Sequence, residues 1–271
     1  MVEPESCFNE RLPNTPYTIR GYSRSGVGTI IQVPELGWAF DCGMVPDMSP
    51  IKEVFITHNH IDHVLCAPFI LHIIKNDSPV HFHMPNAMVT PFKEYITSVA
   101  DLAFMDRPPE DKKQFLSLVL MHGIPTDRCE EFCTDKKHFV RSFKTFHTPI
   151  SIGYAIYELN EEDVFEPLLI YTGDTKADWI EASVGDIASS FKAIITECSF
   201  LDYHPNSDKY NHTCWESLEP YVRKWTGTTF VLIHTSLRYD YHKDTKKNIS
   251  IEMFKKFNSY KNLLLPTRKT D

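Results

Sequence analysis

Three histidines and one aspartate crowd into six consecutive positions of the segment EVFITHNHIDH, directly after a short apolar run. They are His58, His60, Asp62 and His63. Imidazole and carboxylate groups are the usual nitrogen and oxygen ligands of zinc in proteins. The cluster restricts what the chain can fold into, because a complete metal site needs further ligands that must come from distant parts of the sequence.

Further candidate ligands stand at the ends of other β-like runs. His147 ends FKTFH, Asp174 follows LLIYTG, and His234 ends FVLIH. Functional side chains are commonly carried by loops that a rigid scaffold positions. Ligands placed repeatedly at strand ends are expected for a metal site at the rim of a sheet. For the other histidines the expected role is a surface or hydrogen-bonded core position: His72, His81, His83, His122, His138 and His242.

Bulk composition indicates a soluble globular chain. Apolar residues make up 42% and charged residues 24% of the 271 residues, which is ordinary for a globular domain. No apolar run approaches the roughly 20 residues that span a bilayer, and the N-terminal segment lacks the pattern of a secretion signal. We therefore expect a cytoplasmic protein with no membrane partner. Seven scattered cysteines without a secretion signal do not predict a disulfide framework.

The net charge of −8 counts against nonspecific binding of nucleic acid, because such binding depends on cations that neutralise phosphates. Two lysine-rich stretches near the C-terminus, KDTKKN and FKKFNSYKN, leave two interpretations open. They form either a local basic patch or, more often for such lysines, a solvated helix face.

The order of predicted elements favours layered sheets with helices outside. Short runs rich in Val, Ile, Phe and Tyr recur along the chain and predict strands. Helical spacing of apolar residues appears in NAMVTPFKEYITSVADLAF, HTCWESLEPYVRKW and NISIEMFKKFNSY. Strands dominate early and alternate with helices later, an α/β pattern. With no repeat or linker, residues 1–271 are predicted to form a single domain.

The motif THNHIDH resembles the signature of the metallo-β-lactamase superfamily, and HTP, YTGDT and LIHTS resemble its later ligand motifs. The resemblance implies a four-layered αββα sandwich of two mixed sheets with outer helices, holding two zinc ions between the sheets, with manganese or iron as alternatives. It implies one metal held by His58, His60 and His147. It implies a second metal held by Asp62, His63 and His234, with Asp174 bridging the two. Because redox members typically have glutamate at the position of His60, hydrolysis is favoured.

Three stretches further resemble tRNase Z, which trims the 3′ trailer from precursor tRNA. They are FKTFHTPISIGYAIYE, TECSFLD with NHTCWESL, and HTSLRY. The resemblance implies Asp62, Glu197 and His212 as catalytic residues, and Ser236 and Arg238 as ligands of the substrate phosphate.

The chemistry implied by this resemblance is metal-assisted hydrolysis of a phosphodiester. Two metals would lower the pKa of a bridging water to about 7 and supply hydroxide. His212, oriented by Glu197, would protonate the departing 3′ oxygen. Arg238 would bind phosphate oxygens through its guanidinium fork. Homodimers are common in this family, and we expect one here.

One expected feature of the family is missing from the sequence. Family members carry a tRNA-gripping arm between the third and fourth motifs, whereas SIGYAIYELNEEDVFEPLLIYTGDT predicts two strands and a short acidic loop. Residues 106–137 offer a replacement for the arm or an ordinary packing insertion. Three functions therefore stay open: a tRNase Z-type endonuclease acting on precursor tRNA, a metal-dependent hydrolase of a small phosphodiester or ester, and a catalytically silent RNA-binding relative.

Overall fold

The computed structural model describes residues 7–45, 50–73, 78–202, 204–239, 257 and 259–265. These residues form two seven-stranded sheets. The predicted helix over 248–260 and the lysines of KDTKKN fall mostly or entirely outside the described residues.

The first sheet takes its strands in chain order. They are β1 (Cys7–Arg11), β2 (Thr18–Arg24), β3 (Gly28–Val33), β4 (Trp38–Phe40), β5 (Glu53–Phe55), β6 (Val80–Pro85) and β7 (Val119–Ile124). Pairing is antiparallel from β1 to β4 and parallel from β4 to β7. The sheet is therefore mixed, as predicted.

The second sheet repeats this plan. Its strands are β8 (Glu131–Cys133), β9 (His138–Lys144), β10 (Ile152–Leu159), β11 (Phe165–Tyr171), β12 (Ala193–Glu197), β13 (Thr229–Ile233) and β14 (Leu263–Leu264). Pairing is antiparallel from β8 to β11 and parallel from β11 to β14.

Helices connect the parallel strands. They are α1 (Ile61–Val64), α2 (Ala67–Ile73), α3 (Asn86–Ala103), α4 (Pro109–Ser117), α5 (Pro205–Tyr210) and α6 (Trp215–Lys224). A π-helical turn covers Ile180–Val184, and 3₁₀ turns cover Gly185–Ser190 and Leu237–Tyr239. α3 and α6 confirm two of the three predicted helices. None of the described helices combines the length and apolarity that crossing a bilayer requires.

Alternation along the buried strands creates the layers. Successive side chains of a strand point to opposite faces of the sheet. In β12, Ile195 joins the core between the two sheets, while Ile194 joins the core under the outer helices together with Trp215 of α6. In the first sheet, Val54 packs likewise in an outer cluster with Ile96 of α3. The order is helix, sheet, sheet, helix, which confirms the predicted αββα sandwich.

Candidate metal centre

The seven predicted ligands converge at the carboxyl ends of the strands. His58 and His60 follow β5 and precede α1, which carries Asp62 and His63. His147 follows β9, Asp174 follows β11 and His234 follows β13. All seven residues take part in two groups of converging ligand atoms at one edge of the sandwich. His58 and His234 are 176 residues apart in the sequence. They come together because the parallel strands of both sheets end at this edge of the sandwich.

The first group contains His58, His60, His147 and Asp174, whose ligand atoms all lie within 4.8 Å of one another. The Nδ1 atom of His60 is 3.1 Å from Nε2 of His58 and 3.2 Å from Nε2 of His147. The Oδ2 atom of Asp174 lies 3.9 Å from Nε2 of both His58 and His147. Three imidazoles and one carboxylate therefore face a common point.

The second group contains Asp62, His63 and His234. The Nε2 atoms of His63 and His234 are 3.4 Å apart, and Oδ2 of Asp62 is 3.4 Å from Nε2 of His234. Asp174 reaches this group too, since its Oδ1 is 3.4 Å from Nε2 of His63 and its Oδ2 is 3.4 Å from Nε2 of His234. Asp174 is the residue placed between the two groups.

Hydrogen bonds behind the cluster orient the imidazole rings. His147 donates from Nδ1 to the carbonyl of Asn211 at 3.1 Å. His63 directs Nδ1 to a carboxylate at 2.8 Å, and His234 directs Nδ1 to the hydroxyl of Ser199 at 3.1 Å. A ring that donates from one nitrogen presents the other nitrogen, with its lone pair, to the cluster. These contacts thus orient the three rings so that their Nε2 atoms point into the cluster.

The carboxylate behind His63 is Asp41, a residue that the sequence analysis missed. Asp41 is fully buried at the end of β4 and has a φ of 55°. Besides His63, it accepts hydrogen bonds from the Thr57 amide at 2.8 Å and from the Tyr171 hydroxyl at 2.6 Å. The signal was present in FDCG, where an aspartate ends an apolar run as the recognised ligands do.

Burial and neighbouring charge set the protonation of the cluster. Burial raises the pKa of Asp174, but the adjacent His234 and His63 outweigh burial and hold the pKa well below its usual range. Burial also raises the pKa of Asp62, yet the hydrogen bond with His234 and nearby histidine charge lower the pKa to about 2. Burial and the charge of His63 lower the pKa of His58. At neutral pH the cluster therefore offers ionised carboxylates to a cation.

Glu197 and His212 form the predicted pair beside the cluster. Oε1 of Glu197 is 2.7 Å from Nδ1 of His212, and the Glu197 side chain is fully buried. Burial lowers the pKa of His212, but the charge and hydrogen bond of Glu197 outweigh burial and raise the pKa to about 9. The His212 ring centroid lies 4.9 Å from that of His147. His212 also converges with Asp174 and His234, so the geometry permits a ligand role as well as an acid role.

Ser236 and Arg238 lie on the loop after His234. The Ser236 amide donates to the Ser199 carbonyl at 3.1 Å, and the Arg238 guanidinium lies 5.0 Å from the centroid of the Phe200 ring. Within the described part of the chain, no hydrogen bond or ion pair joins the guanidinium to the histidine–aspartate cluster. The Nε atom of Arg238 is buried without a hydrogen-bond partner.

Histidines outside the cluster have other partners. His83 lies 2.7 Å from a Glu53 carboxylate oxygen, and His138 lies 2.9 Å from an Asp135 carboxylate oxygen. His81 and His122 approach each other to 2.9 Å. Cys42, Cys66, Cys129, Cys133, Cys198 and Cys214 are free thiols, and Cys129 and Cys133 are exposed. His81, His83, His122 and His138 are thus paired outside the metal centre.

Comparisons with known proteins place this geometry in context. No family model matches the chain. A tRNase Z of Arabidopsis thaliana is 26% identical over 255 residues, covering 82% of this chain and 86% of the relative. The crystal structure of human tRNase Z, short form, superposes with a TM-score of 0.54 at 20% identity, covering 86% of this chain and 92% of that chain. A metallo-β-lactamase fold protein of Bacillus subtilis superposes with a TM-score of 0.51 at 14% identity, covering 96% and 93%. The chain therefore has the metallo-β-lactamase fold, and its sequence is similar to proteins named tRNase Z.

Proposed function

We propose that the chain is a metal-dependent endoribonuclease of the tRNase Z type, which cleaves precursor tRNA at the 3′ end. The observation that carries the proposal is the pair of buried Glu197 and partly buried His212 beside a seven-residue histidine–aspartate cluster. The similarity to named tRNase Z proteins supports precursor tRNA as the substrate. A fold alone would not select this substrate, because one fold hosts many activities.

The residues present fit bound metal ions. Oδ1 of Asp174 is buried without a hydrogen-bond partner, a costly state for a carboxylate oxygen unless a cation occupies its free lone pairs. Five imidazoles with converging nitrogens and two aspartates are a ligand set suited to zinc, with manganese or iron as alternatives. We propose two zinc ions, one held by His58, His60 and His147, the other by Asp62, His63 and His234, with Asp174 bridging. When bound, they would activate water and neutralise phosphate charge.

His212 is the proposed general acid. Its Nδ1 faces Glu197, which leaves Nε2 to donate a proton to the departing 3′ oxygen. A pKa of about 9 keeps His212 protonated at neutral pH, the state in which it can act as an acid. The Glu197 carboxylate is fixed in the position that orients His212, because it also accepts hydrogen bonds from the Thr175 amide and the Ser199 hydroxyl, both at 2.6 Å.

Asp62, Ser236 and Arg238 complete the proposed site. The pKa of about 2 keeps Asp62 ionised, so its carboxylate can hold a metal and orient the attacking water by accepting a hydrogen bond from it. Among the described residues no carboxylate pairs with Arg238, and its charge is free to bind a phosphate oxygen. The Ser236 hydroxyl would donate to the same phosphate.

The structure also supports a second candidate, a hydrolase of a smaller phosphodiester. β10 and β11 are joined directly by residues 160–164, and Glu161, Glu162 and Asp163 in that connection are exposed acidic residues. The predicted short acidic loop is therefore present where related enzymes have an arm. Such a loop would repel tRNA phosphates, so either another surface holds tRNA or the substrate is smaller.

Cellular context and assembly are part of the proposal. We place the protein in the cytoplasm as a homodimer, with residues 1–271 as one hydrolase domain. Gel filtration with light scattering tests the dimer, and imaging of a tagged protein tests the location.

A substrate panel tests the function. The purified protein is incubated with precursor tRNA, bis(p-nitrophenyl) phosphate and a lactone, each with and without a chelator. We expect chelator-sensitive cleavage of precursor tRNA at the 3′ end of the acceptor stem. Hydrolysis of the small diester alone would favour the second candidate. No cleavage by the zinc-loaded protein, together with binding of tRNA, would identify a silent RNA-binding relative.

A further inference from the structure

Tyr210 is a large exposed aromatic residue two positions before His212 in the chain. It ends α5 and is 50% exposed. It belongs to none of the three apolar clusters of the described residues. Single exposed apolar residues are common and carry no message by themselves. The exposure of Tyr210 matters here because the residue lies close in the chain to the proposed catalytic groups.

The segment that carries Tyr210 is tied to the metal centre by its backbone. The next residue, Asn211, has a φ of 55°, and its carbonyl accepts the hydrogen bond from Nδ1 of His147 at 3.1 Å. The Asn211 side-chain amide donates to the hydroxyl of Thr148 at 3.1 Å. Because consecutive Cα atoms are about 3.8 Å apart, Tyr210 lies within about 8 Å of His212 along the chain. The backbone that carries Tyr210 is therefore anchored close to the proposed general acid.

Cations accompany the ring. Nζ of Lys209 lies 5.0 Å from the centroid of the Tyr210 ring. Lys176, whose amide donates to the carbonyl of Phe146 beside His147, forms an exposed ion pair of 2.8 Å with Asp208. We call these four residues, Lys176, Asp208, Lys209 and Tyr210, the rim. The rim combines one half-exposed aromatic ring with two lysines and one aspartate. It has a small excess of positive charge, although the chain as a whole is acidic.

An exposed aromatic ring next to lysines matches the chemistry of single-stranded RNA. Every nucleobase has a π-face that stacks on an aromatic side chain, and adjacent cations bind the backbone phosphates. A purely aliphatic surface would offer only apolar contact, whereas this one also carries lysine side chains that can bind an anion. The acidic β10–β11 connection cannot serve this purpose, because its charge repels phosphate.

We propose that Tyr210 stacks on the base of a nucleotide that flanks the scissile phosphate, with Lys209 contacting the neighbouring backbone phosphate. The inference rests on the proposed function and specifies how a chain without an arm positions RNA beside the metal centre. Tyr210 and Lys209 act in substrate binding, and they take no part in proton transfer.

Steady-state kinetics on precursor tRNA test the proposal. For Tyr210→Ala we expect KM to rise about 5- to 150-fold, the range that loss of one base–aromatic stack produces, with kcat nearly unchanged. Tyr210→Phe and Tyr210→Trp, which keep a stacking face, should restore KM. The matched control is Phe165→Ala. Phe165 is 42% exposed but lies at the opposite end of β11 from the metal centre, about 20 Å along the strand, and its loss should leave KM unchanged.

Abasic substrates identify the stacked base. Precursor tRNAs that lack the base on either side of the scissile phosphate are cleaved by the wild type and by Tyr210→Ala. At the stacked position, the increase in KM caused by Tyr210→Ala and the increase caused by removing the base should not add, because both changes remove the same interaction. Equal KM values for the wild type and Tyr210→Ala on normal precursor tRNA, or fully additive losses at both positions, overturn the proposal.

A binding measurement separates this inference from the proposed function. The probe is labelled precursor tRNA in which a methylene group replaces the 3′ oxygen of the scissile linkage, and fluorescence anisotropy gives Kd for the zinc-loaded protein. Weaker binding by Tyr210→Ala, together with no cleavage of normal precursor tRNA by the wild type, would support the stack and reject the nuclease function. Equal binding, with cleavage by the wild type intact, would reject the stack alone.

Discussion

Replacing Glu197 by glutamine changes one charge beside His212 and leaves the shape of the side chain nearly unchanged. Glutamine can still accept a hydrogen bond from Nδ1, which lies 2.7 Å away in the wild type. It cannot supply the negative charge that, with the hydrogen bond, raises the pKa of His212 to about 9. Burial remains and lowers the pKa, so in Glu197→Gln the pKa should fall to its ordinary value of about 6.5 or below.

The size of the effect follows from the two pKa values. A fall from about 9 to about 6.5 corresponds to roughly 3 kcal/mol of lost stabilisation of the protonated ring. At pH 7.5 nearly all His212 is protonated in the wild type, against about one-tenth in the variant. Loss of the acid form alone should therefore reduce the cleavage of precursor tRNA at this pH about tenfold, and more at higher pH.

The raised pKa of His212 also determines how the stability of the fold depends on pH. Because the folded-state pKa of His212 lies above its unfolded value, the stabilisation is fully present below about pH 6.5 and is lost as the pH rises through about 9. Urea unfolding should show Glu197→Gln to be destabilised more at pH 6 than at pH 10.

The pH dependence of kcat/KM is the assay. In the wild type, activity should fall on the alkaline side near pH 9, and in Glu197→Gln this fall should move to pH 6.5 or below. Hydrolysis of bis(p-nitrophenyl) phosphate serves as the control, because its leaving group needs little help from an acid and should be much less affected. If the variant lost activity by the same factor at every pH, with the alkaline fall unmoved, His212 would not be the acid.

Three further substitutions test the remaining assignments. His212→Ala should keep its bound zinc and lose most of its turnover on precursor tRNA, and wild-type turnover in this variant would rule out the acid role. Asp174→Ala should lower the zinc content measured by elemental analysis, and two undiminished zinc ions would remove Asp174 from the bridge. Asp41→Asn should weaken zinc binding about 10- to 100-fold, the usual effect of losing a carboxylate that orients a metal-bound histidine, as measured by chelator competition. Unchanged affinity in that variant would show that His63 needs no such support.

The sequence predicted layered sheets with outer helices because periodicity is local, and the resemblance of its motifs to the metallo-β-lactamase superfamily implied the αββα order. Strand-like runs ending on His58, Asp174 or His234 could be recognised without knowing where the strands lie, and the structure confirms the αββα layers around them. The helical spacing in residues 215–225 likewise predicted α6. The assignment of each ligand to a particular metal stays a prediction, although the structure brings all seven residues together.

Other features depended on contacts between distant segments. Asp41 orients His63 only because β4 and α1 meet, a contact that no local spacing encodes. The segment that carries Lys209 and Tyr210 is anchored to His147 by the hydrogen bond that His147 donates to the carbonyl of Asn211, 64 residues away in the chain. The sequence alone determined which chemical groups the chain offers and at which strand ends, since these follow from residue type and short-range order. Only the tertiary structure decided which groups orient the ligands and which exposed aromatic residue is anchored near the site, because those relations arise when sheets and loops pack across long separations.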